Sequence, residues 1–245
     1  YDVPRSQPIM DEAEIYKRLD LSLTNLRRSG RQNLDYHFFL DNFDIDESID
    51  INGHSQYNYI LETFKDFNVI PVVALDRLTD HNKSAFDFIK SKPGPIGIRL
   101  QKEDIDSYDL SKPKLDDIWK EIASTPVTKR ILLIDMRVID DPIASSHDIR
   151  SFINKFNKDF KVEIISTSGS IIPENIATLI ATDTKIHVTR NEFTMWKSLT
   201  NHSECSEFVY GDYGVVSPNY SDLDLDPSLM NRSEERLVGN GCWSR

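Results

Sequence analysis

The chain has 245 residues, a length that suits one domain, and 39% of them are apolar, enough to fill a sizeable core. With 40 acidic against 29 basic side chains the formal charge is −11, which excludes a nucleic-acid binder working through a broad basic surface, because phosphate neutralisation needs clustered Lys and Arg. Cys205 and Cys242 lie far apart without metal-ligand spacing, no apolar run approaches the ~18 residues of a membrane span, and no signal peptide opens the chain, so a soluble protein of the reducing cytoplasm is expected.

Eight segments read as strands. Tyr1–Pro4 is the first; it is short and begins on Tyr rather than Met, so the chain is expected to be a fragment or the ordered part of something longer. Ile15, Leu19, Leu23 and Leu26, spaced among charges, predict an amphipathic helix over Met10–Arg28, stopping near Gly30. Tyr36–Phe43 is the second strand. It ends at Asp41 and leads into the acidic loop Asn42–Gly53, whose spacing departs from the twelve-residue calcium pattern and which therefore reads as solvated. His54–Phe67 predicts a helix, and Val69–Asp76 the third strand, with Pro71 near its start, where a missing N–H removes little of the ladder. Thr79 or Asp80 caps the next helix, which turns Phe86, Phe88 and Ile89 inward and ends at Pro93-Gly94-Pro95.

Pro95–Gln101, the fourth strand, carries Arg99 on the same face as Gly97. The polar stretch Gln101–Lys114 reads as a lid or partner-binding loop, followed by a short helix, Leu115–Ser124. Arg130–Val138 (RILLIDMRV) organises the chain: four consecutive aliphatic residues run into a carboxylate and then a guanidinium, as in a parallel strand covered on both faces. Alternation puts Asp135 and Arg137 on the side of Ile131 and Leu133, at the C-terminal end where α/β proteins keep their chemistry. Asp140-Asp141-Pro142 reads as a turn before a helix capped at Ser145 or Ser146. Phe160–Ser168 is the sixth strand. Ser166–Ser170 (STSGS) then forms a hydroxyl- and amide-rich loop ahead of a helix opened by Pro173, a geometry suited to an anion. Lys185–Glu192 is the seventh strand, followed by a helix with Phe193, Trp196 and Leu199, and Phe208–Tyr213 is the eighth. Asp226-Pro227 opens a last helix stopping at Gly239, and residues 239–245 read as an irregular tail.

Eight strands alternating with helices about every 30 residues predict a (β/α)8 TIM-like barrel over residues 1–238, with an open doubly wound sheet as the other arrangement of such a pattern. Asp41, Asp76, Arg99, Asp135, Arg137, Arg190, Glu192 and Asp212 would then ring the mouth. One reading is an internal ion network, since an unpaired buried charge costs several kcal/mol. The other is a site. Arg99, Arg137 and Arg190 would hold a phosphate-bearing ligand, with Asp41, Asp76, Ser166, Ser168 and Tyr213 lining it, while Asp135, Asp212 and Glu192 serve as acid, base or magnesium ligands. No histidine falls at a strand end and Cys205 lies in a connection, so an enzyme here would be left with carboxylate chemistry on a divalent ion, as in phosphodiester hydrolysis. Neither reading requires a cofactor, and the four Asp residues share no short metal motif.

Tyr210-Gly211-Asp212-Tyr213-Gly214 followed by VVSP, the strand ending in LLIDMR, the TSGS stretch and the run from Arg190 to Trp196 (RNEFTMW) together resemble the Beta-protein family of phages, satellite phages and bacterial mobile elements. The resemblance spans about Asp41 to Met230, and YGDYG and R-x-E-x-x-x-W are its specific patterns. The chain departs from the family in two ways: the usual Thr-Ser-aromatic-Pro turn is TSGS here, and members normally begin earlier and continue further. The resemblance implies a role in phage–host conflict, either antiviral defence or restraint of a neighbouring toxic protein, and brings no catalytic mechanism with it. A scaffold is therefore expected that acts on a protein partner encoded nearby, through the acidic loops Asp44–Asp50 and Glu103–Asp109, or on an anionic ligand at the mouth. The alternative is a metal-assisted phosphoester hydrolase or nucleotide sensor using the Asp/Arg rim.

Overall fold

The computed structural model describes residues 11–28, 37–43, 45–51, 53–173, 175, 178–180, 184–200, 207–213 and 217–218. In chain order the elements are α1 (Glu12–Arg28), β1 (Phe38–Leu40), β2 (Asp50–Ile51), β3 (His54–Ser55), α2 (Gln56–Thr63), β4 (Val69–Ala74), α3 (Thr79–Ser91), β5 (Gly94–Gln101), α4 (Lys102–Asp106), α5 (Tyr108–Ser124), β6 (Val127–Val138), α6 (Pro142–Asp159), β7 (Ile164–Ser170), α7 (Asn191–Thr200) and β8 (Glu207–Tyr210). Six strands form one parallel sheet in the order β1-β4-β5-β6-β7-β8, and β2 pairs with β3 as a small hairpin turned at Gly53, whose φ of 74° a glycine adopts without strain. The sheet order follows the chain, so right-handed crossovers return every helix to the same face.

That face holds the core. Ile96, Ile98 and Leu100 of β5 alternate toward the helices with Leu132, Ile134 and Met136 of β6, all at 2% exposure or less. Against them pack Leu115 and Ile118 of α5 and Ile149, Phe152 and Phe156 of α6, with Trp119 tilted against Phe160 at a ring distance of 4.6 Å. Each such side chain contributes about 1.5–3 kcal/mol on burial. The alternate residues Arg99 and Asp135 are turned to the concave face, where Gly97 makes room: a Cβ there would meet Leu133 and Phe39 at 3.1 Å.

The closed eight-stranded barrel does not form. The sheet is an open half-barrel whose edges stand 13 Å apart. Of the two expected strands that are missing from it, Tyr1–Pro4 lies outside the described residues, and Lys185–Glu192 is no strand: residues 184–190 are exposed and join no ladder, and α7 begins at Asn191. Its place is already taken, because β7 pairs directly with β8 from Ile164↔Glu207 to Thr167↔Tyr210. Ile186 and Val188, at 46% and 40% exposure, offer too little apolar surface to displace that ladder. A doubly wound sheet is excluded as well, since the strand order never reverses.

Three local expectations also change. STSGS is not a loop but the C-terminal part of β7, and no α-helix is found among the described residues between 171 and 190. Gln101–Lys114 is helical, forming α4 and the start of α5, rather than a lid. Asp141 caps α6, accepting from the amides of Ile143 and Ala144 with Pro142 in the first turn, whereas Ser146 is buried one turn on. The helix expected from Asp226 and the 239–245 tail lie outside the described residues. No described helix is long and apolar enough to cross a membrane.

Candidate functional site at the strand ends

The polar residues that end the strands meet in two clusters. In the first, Asp41 follows β1, Arg77 follows β4, Arg99 lies in β5 and Asp135 in β6. Arg77 donates to Asp41 at 2.6 Å and to Glu47 at 2.8 Å; Arg99 donates to Asp41 at 2.6 Å and also to Asp135. The Tyr213 hydroxyl donates to Asp135 Oδ2, the oxygen that Arg99 also reaches. Phe43, two residues beyond Asp41, puts its ring among three guanidiniums, with Arg99 at 4.0 Å, Arg137 at 4.5 Å and Arg77 at 5.1 Å from its centre.

The charges balance within this cluster, Glu47, Asp41 and Asp135 against Arg77, Arg99 and Arg137. Burial by itself would raise the Asp41 carboxyl, but the guanidiniums of Arg77 and Arg99 hold it below the usual carboxylate range. Burial, and then the neighbouring Asp135 carboxylate, push the Tyr213 hydroxyl above its ordinary value, so it stays a donor.

Arg137 reaches this cluster by a route that strand alternation does not describe. Its φ is +55°, its amide donates to Asp135 Oδ1 at 3.0 Å, and the β6–β7 register shifts between Asp135 and Val138. The bulge presses on β7. A Cβ on Gly169 would lie 2.3 Å from Ile139 Cδ1, so any larger residue there would have to displace the Ile139 side chain.

Side chains also replace a strand where β1 leaves the sheet. The Tyr57 hydroxyl donates to Leu40 O and accepts from Val72 N, both at 2.7 Å; His81 Nε2 lies 3.0 Å from Val72 O; and the Asn82 amide pairs with both backbone groups of Ala74. A carbonyl only accepts, so His81 is protonated on Nε2. Burial, with Arg77 nearby, pushes its pKa down from 6.5 to about 4 in spite of Asp41, and the neutral ring stacks on Tyr57 at 3.8 Å. Four buried residues beside this stack and the Asp41–Arg77 pair keep polar atoms without a hydrogen-bond partner among the described residues: Asn42, Gln56 Oε1, Arg77 Nε and His81 Nδ1.

The second cluster joins α7 to β8. Arg190 Nε donates to Glu192 Oε1 at 2.8 Å, and its Nη2 donates to both the Tyr210 hydroxyl and Asp212; Tyr210 in turn donates to Asp212 at 2.8 Å. Trp196 Nε1 donates to Phe208 O at 3.2 Å, and the Trp196 and Phe193 rings flank Tyr210, each 5.8 Å away. The R-x-E-x-x-x-W and YGDYG patterns are thus the two halves of one latch. Gly211 lets β8 run close to β7, since a Cβ there would lie 3.2 Å from Ser168 Cβ and 3.3 Å from Thr167 O.

The residues expected to act together are divided between the two clusters. Asp135 faces Arg99 and Tyr213, while Asp212 and Glu192 face Arg190 and Tyr210; consecutive residues Asp212 and Tyr213 turn opposite ways. Arg99, Arg137 and Asp41 do meet, Ser166 and Ser168 lie beside Leu133 and Asp135 in register, and exposed Asp76 accepts from Gln101 at 2.7 Å outside the ion network. Among the described residues no three His, Cys, Asp or Glu side chains converge to hold a metal ion. Arg77, Glu47 and Phe43 were not expected in the site. Arg77 immediately follows Asp76 at a strand end and Phe43 shares the parity of Asp41, so both left a signal; Glu47 sits in the loop read as solvated.

In comparison with known proteins, the model of the Beta protein family matches residues 3–236, nearly the whole chain. No curated protein and no solved structure matches it.

Proposed function

The chain belongs to the Beta protein family, and from that premise we propose that it is a cytoplasmic binding protein of a phage or mobile-element conflict system, acting in antiviral defence or restraining a neighbouring toxic protein through a protein partner encoded nearby. One observation carries this reading. Asp41, Arg77, Arg99 and Asp135 are buried and engaged with one another, so the strand ends form a neutralised, rigid platform rather than groups poised to transfer a proton. A metal-assisted hydrolase is less well supported, because Asp135 and Asp212 belong to different clusters. Co-expression with the products of neighbouring genes tests the proposal: one neighbour should co-purify, and its toxicity or phage plating should change. If no neighbour co-purifies and none has its toxicity altered, the proposal falls.

Arg137 favours a second reading, an anion or nucleotide sensor. A non-glycine residue in the left-handed region costs about 1–2 kcal/mol, and such strain gathers at ligand sites. Its guanidinium, with Tyr213 and Ser168 close to Asp135, would face a phosphate-bearing ligand. Thermal-shift measurements against nucleotides with and without magnesium decide this, since a ligand at about 100 times its Kd adds roughly 2.7 kcal/mol. A panel without a single shift removes the sensor.

A further inference from the structure

We infer that the acidic connection after β1 is seated on internal water, bound by Asn42, Gln56, Arg77 and His81. All four are buried: Asn42 is 0% exposed, Gln56 1% and His81 2%, and the Arg77 side chain is 4% exposed. Their known bonds hold the connection and the strand behind it. The Asn42 amide donates to Asp41 Oδ1 at 2.8 Å, the oxygen that also takes Arg77 Nη2; Arg77 Nη1 donates to Glu47 Oε1 at 2.8 Å, Gln56 Nε2 donates to Asp46 O, and His81 Nε2 donates to Val72 O. Further contacts draw them into one neighbourhood. His81 stacks on Tyr57, the residue after Gln56, and its Nδ1 lies 3.7 Å from the Glu47 oxygen that Arg77 holds. Yet Asn42 Nδ2 and Oδ1, Gln56 Oε1, Arg77 Nε and His81 Nδ1 reach no hydrogen-bond partner among the described residues.

A buried polar atom without a partner is unfavourable, and native interiors keep few of them. The chemistry of these atoms selects what completes them. Asn42 Nδ2 and Arg77 Nε donate, whereas Asn42 Oδ1, Gln56 Oε1 and His81 Nδ1 accept, the last because the ring proton is on Nε2. A cation would leave the donors unanswered and meet the Arg77 guanidinium; an anion would leave the acceptors unanswered and meet Asp41 and Glu47. His81 Nδ1 opposite Glu47 Oε1 is a pair of acceptors with no proton between them. A neutral molecule that both donates and accepts answers every one of these atoms, and walls this closely buried restrict it to the size of water. Since a buried water makes about 2–4 hydrogen bonds, roughly two molecules serve the site.

The test uses the full 15N-labelled chain at neutral pH. Nuclear Overhauser contacts to water should appear at the Asn42 side-chain amide and at Arg77 Nε–H, and the His81 Nδ1 resonance should be that of a lone pair that accepts a hydrogen bond. Asn42→Leu, a change of nearly equal volume, separates the two cases by sign. If water is bound, leucine takes away partners of that water and strands the acceptors on Gln56 and His81, so the melting temperature should fall by about 5 °C. If it is not, leucine removes unpartnered buried atoms, and the melting temperature holds or rises. An unbonded His81 lone pair with no water contacts, or an unchanged or higher melting temperature of Asn42→Leu, overturns the inference. Should that variant fail to fold, the spectra of the unsubstituted chain decide by themselves.

Discussion

Arg99 holds Asp41 and Asp135 together with a side chain only 7% exposed. Arg99→Met takes the guanidinium partner from Asp135 and leaves Asp41 with Arg77 alone, and should cost about 3–5 kcal/mol, or about 10 °C in melting temperature at this chain length. Adding Asp41→Asn and Asp135→Asn should recover part of the loss, because it removes the uncompensated charges; a triple variant no better than the single one would show that packing, not charge, sets the cost. Arg137 makes a backbone prediction. With φ at +55°, Arg137→Gly should be more stable than Arg137→Ala by about 1 kcal/mol in urea unfolding, and equal stabilities would refute the left-handed conformation. His81 makes a pH prediction. Burial lowers its folded pKa from 6.5 to about 4, so between those values the unfolded chain binds the extra proton. The stability it contributes is present above pH 6.5 and lost as pH falls toward 4, on the order of 3 kcal/mol in all. His81→Gln should flatten the stability profile in that window; an unchanged slope would assign the dependence to other groups.

Among the elements, β6 and β7 depend on each other at the bulge. Gly169→Ala should destabilise by about 1–3 kcal/mol, because the added Cβ would displace Ile139, which is buried at 2% exposure. The same change should cost less in an Ile139→Ala background, and a double-mutant cycle in urea measures the difference. Helix and strand identities were largely legible in the sequence: the stripe of Ile15, Leu19 and Leu23 gave α1, and the unbroken run Ile131–Ile134 gave β6. Element boundaries at polar stretches were less so. Lys102–Asp106 and Tyr108–Ser111 read as a loop because helix and loop share the same polar residues there; Ile105 and Tyr108, at 5% exposure each, carry the helix's buried side.

For the whole molecule, an open sheet and a closed barrel predict different protection. In hydrogen exchange, amides of β5 and β6 at the centre should be the slowest, and those of β1 and β8 at the edges the fastest of the sheet. Slow exchange in residues 207–210, equal to that of residues 131–136, would mean that β8 is paired on both sides, contradicting an open edge. The site depends on this architecture as well: Asp41 and Arg99 are 58 positions apart, and Asp135 and Tyr213 are 78 apart, yet each pair is hydrogen-bonded.

The sequence alone determined the α/β class, the six strands that pair and the polar strand ends, because each follows from local periodicity and from residues that must be buried or solvated. It also marked Asp41, Arg99 and Asp135 as one neighbourhood, through alternation along strands, whereas Arg137 reaches it through a left-handed backbone turn that alternation does not describe. Only the tertiary structure decided the rest. Whether Lys185–Glu192 joins the sheet depends on whether a neighbour is free to pair with it, and β8 had already occupied β7. Whether the carboxylates converge depends on which guanidinium lies nearest across the sheet, so Asp212 went to Arg190 while the next residue, Tyr213, went to Asp135. Pairing between distant segments is a competition for partners, and its outcome is settled only when all the competing segments are in place.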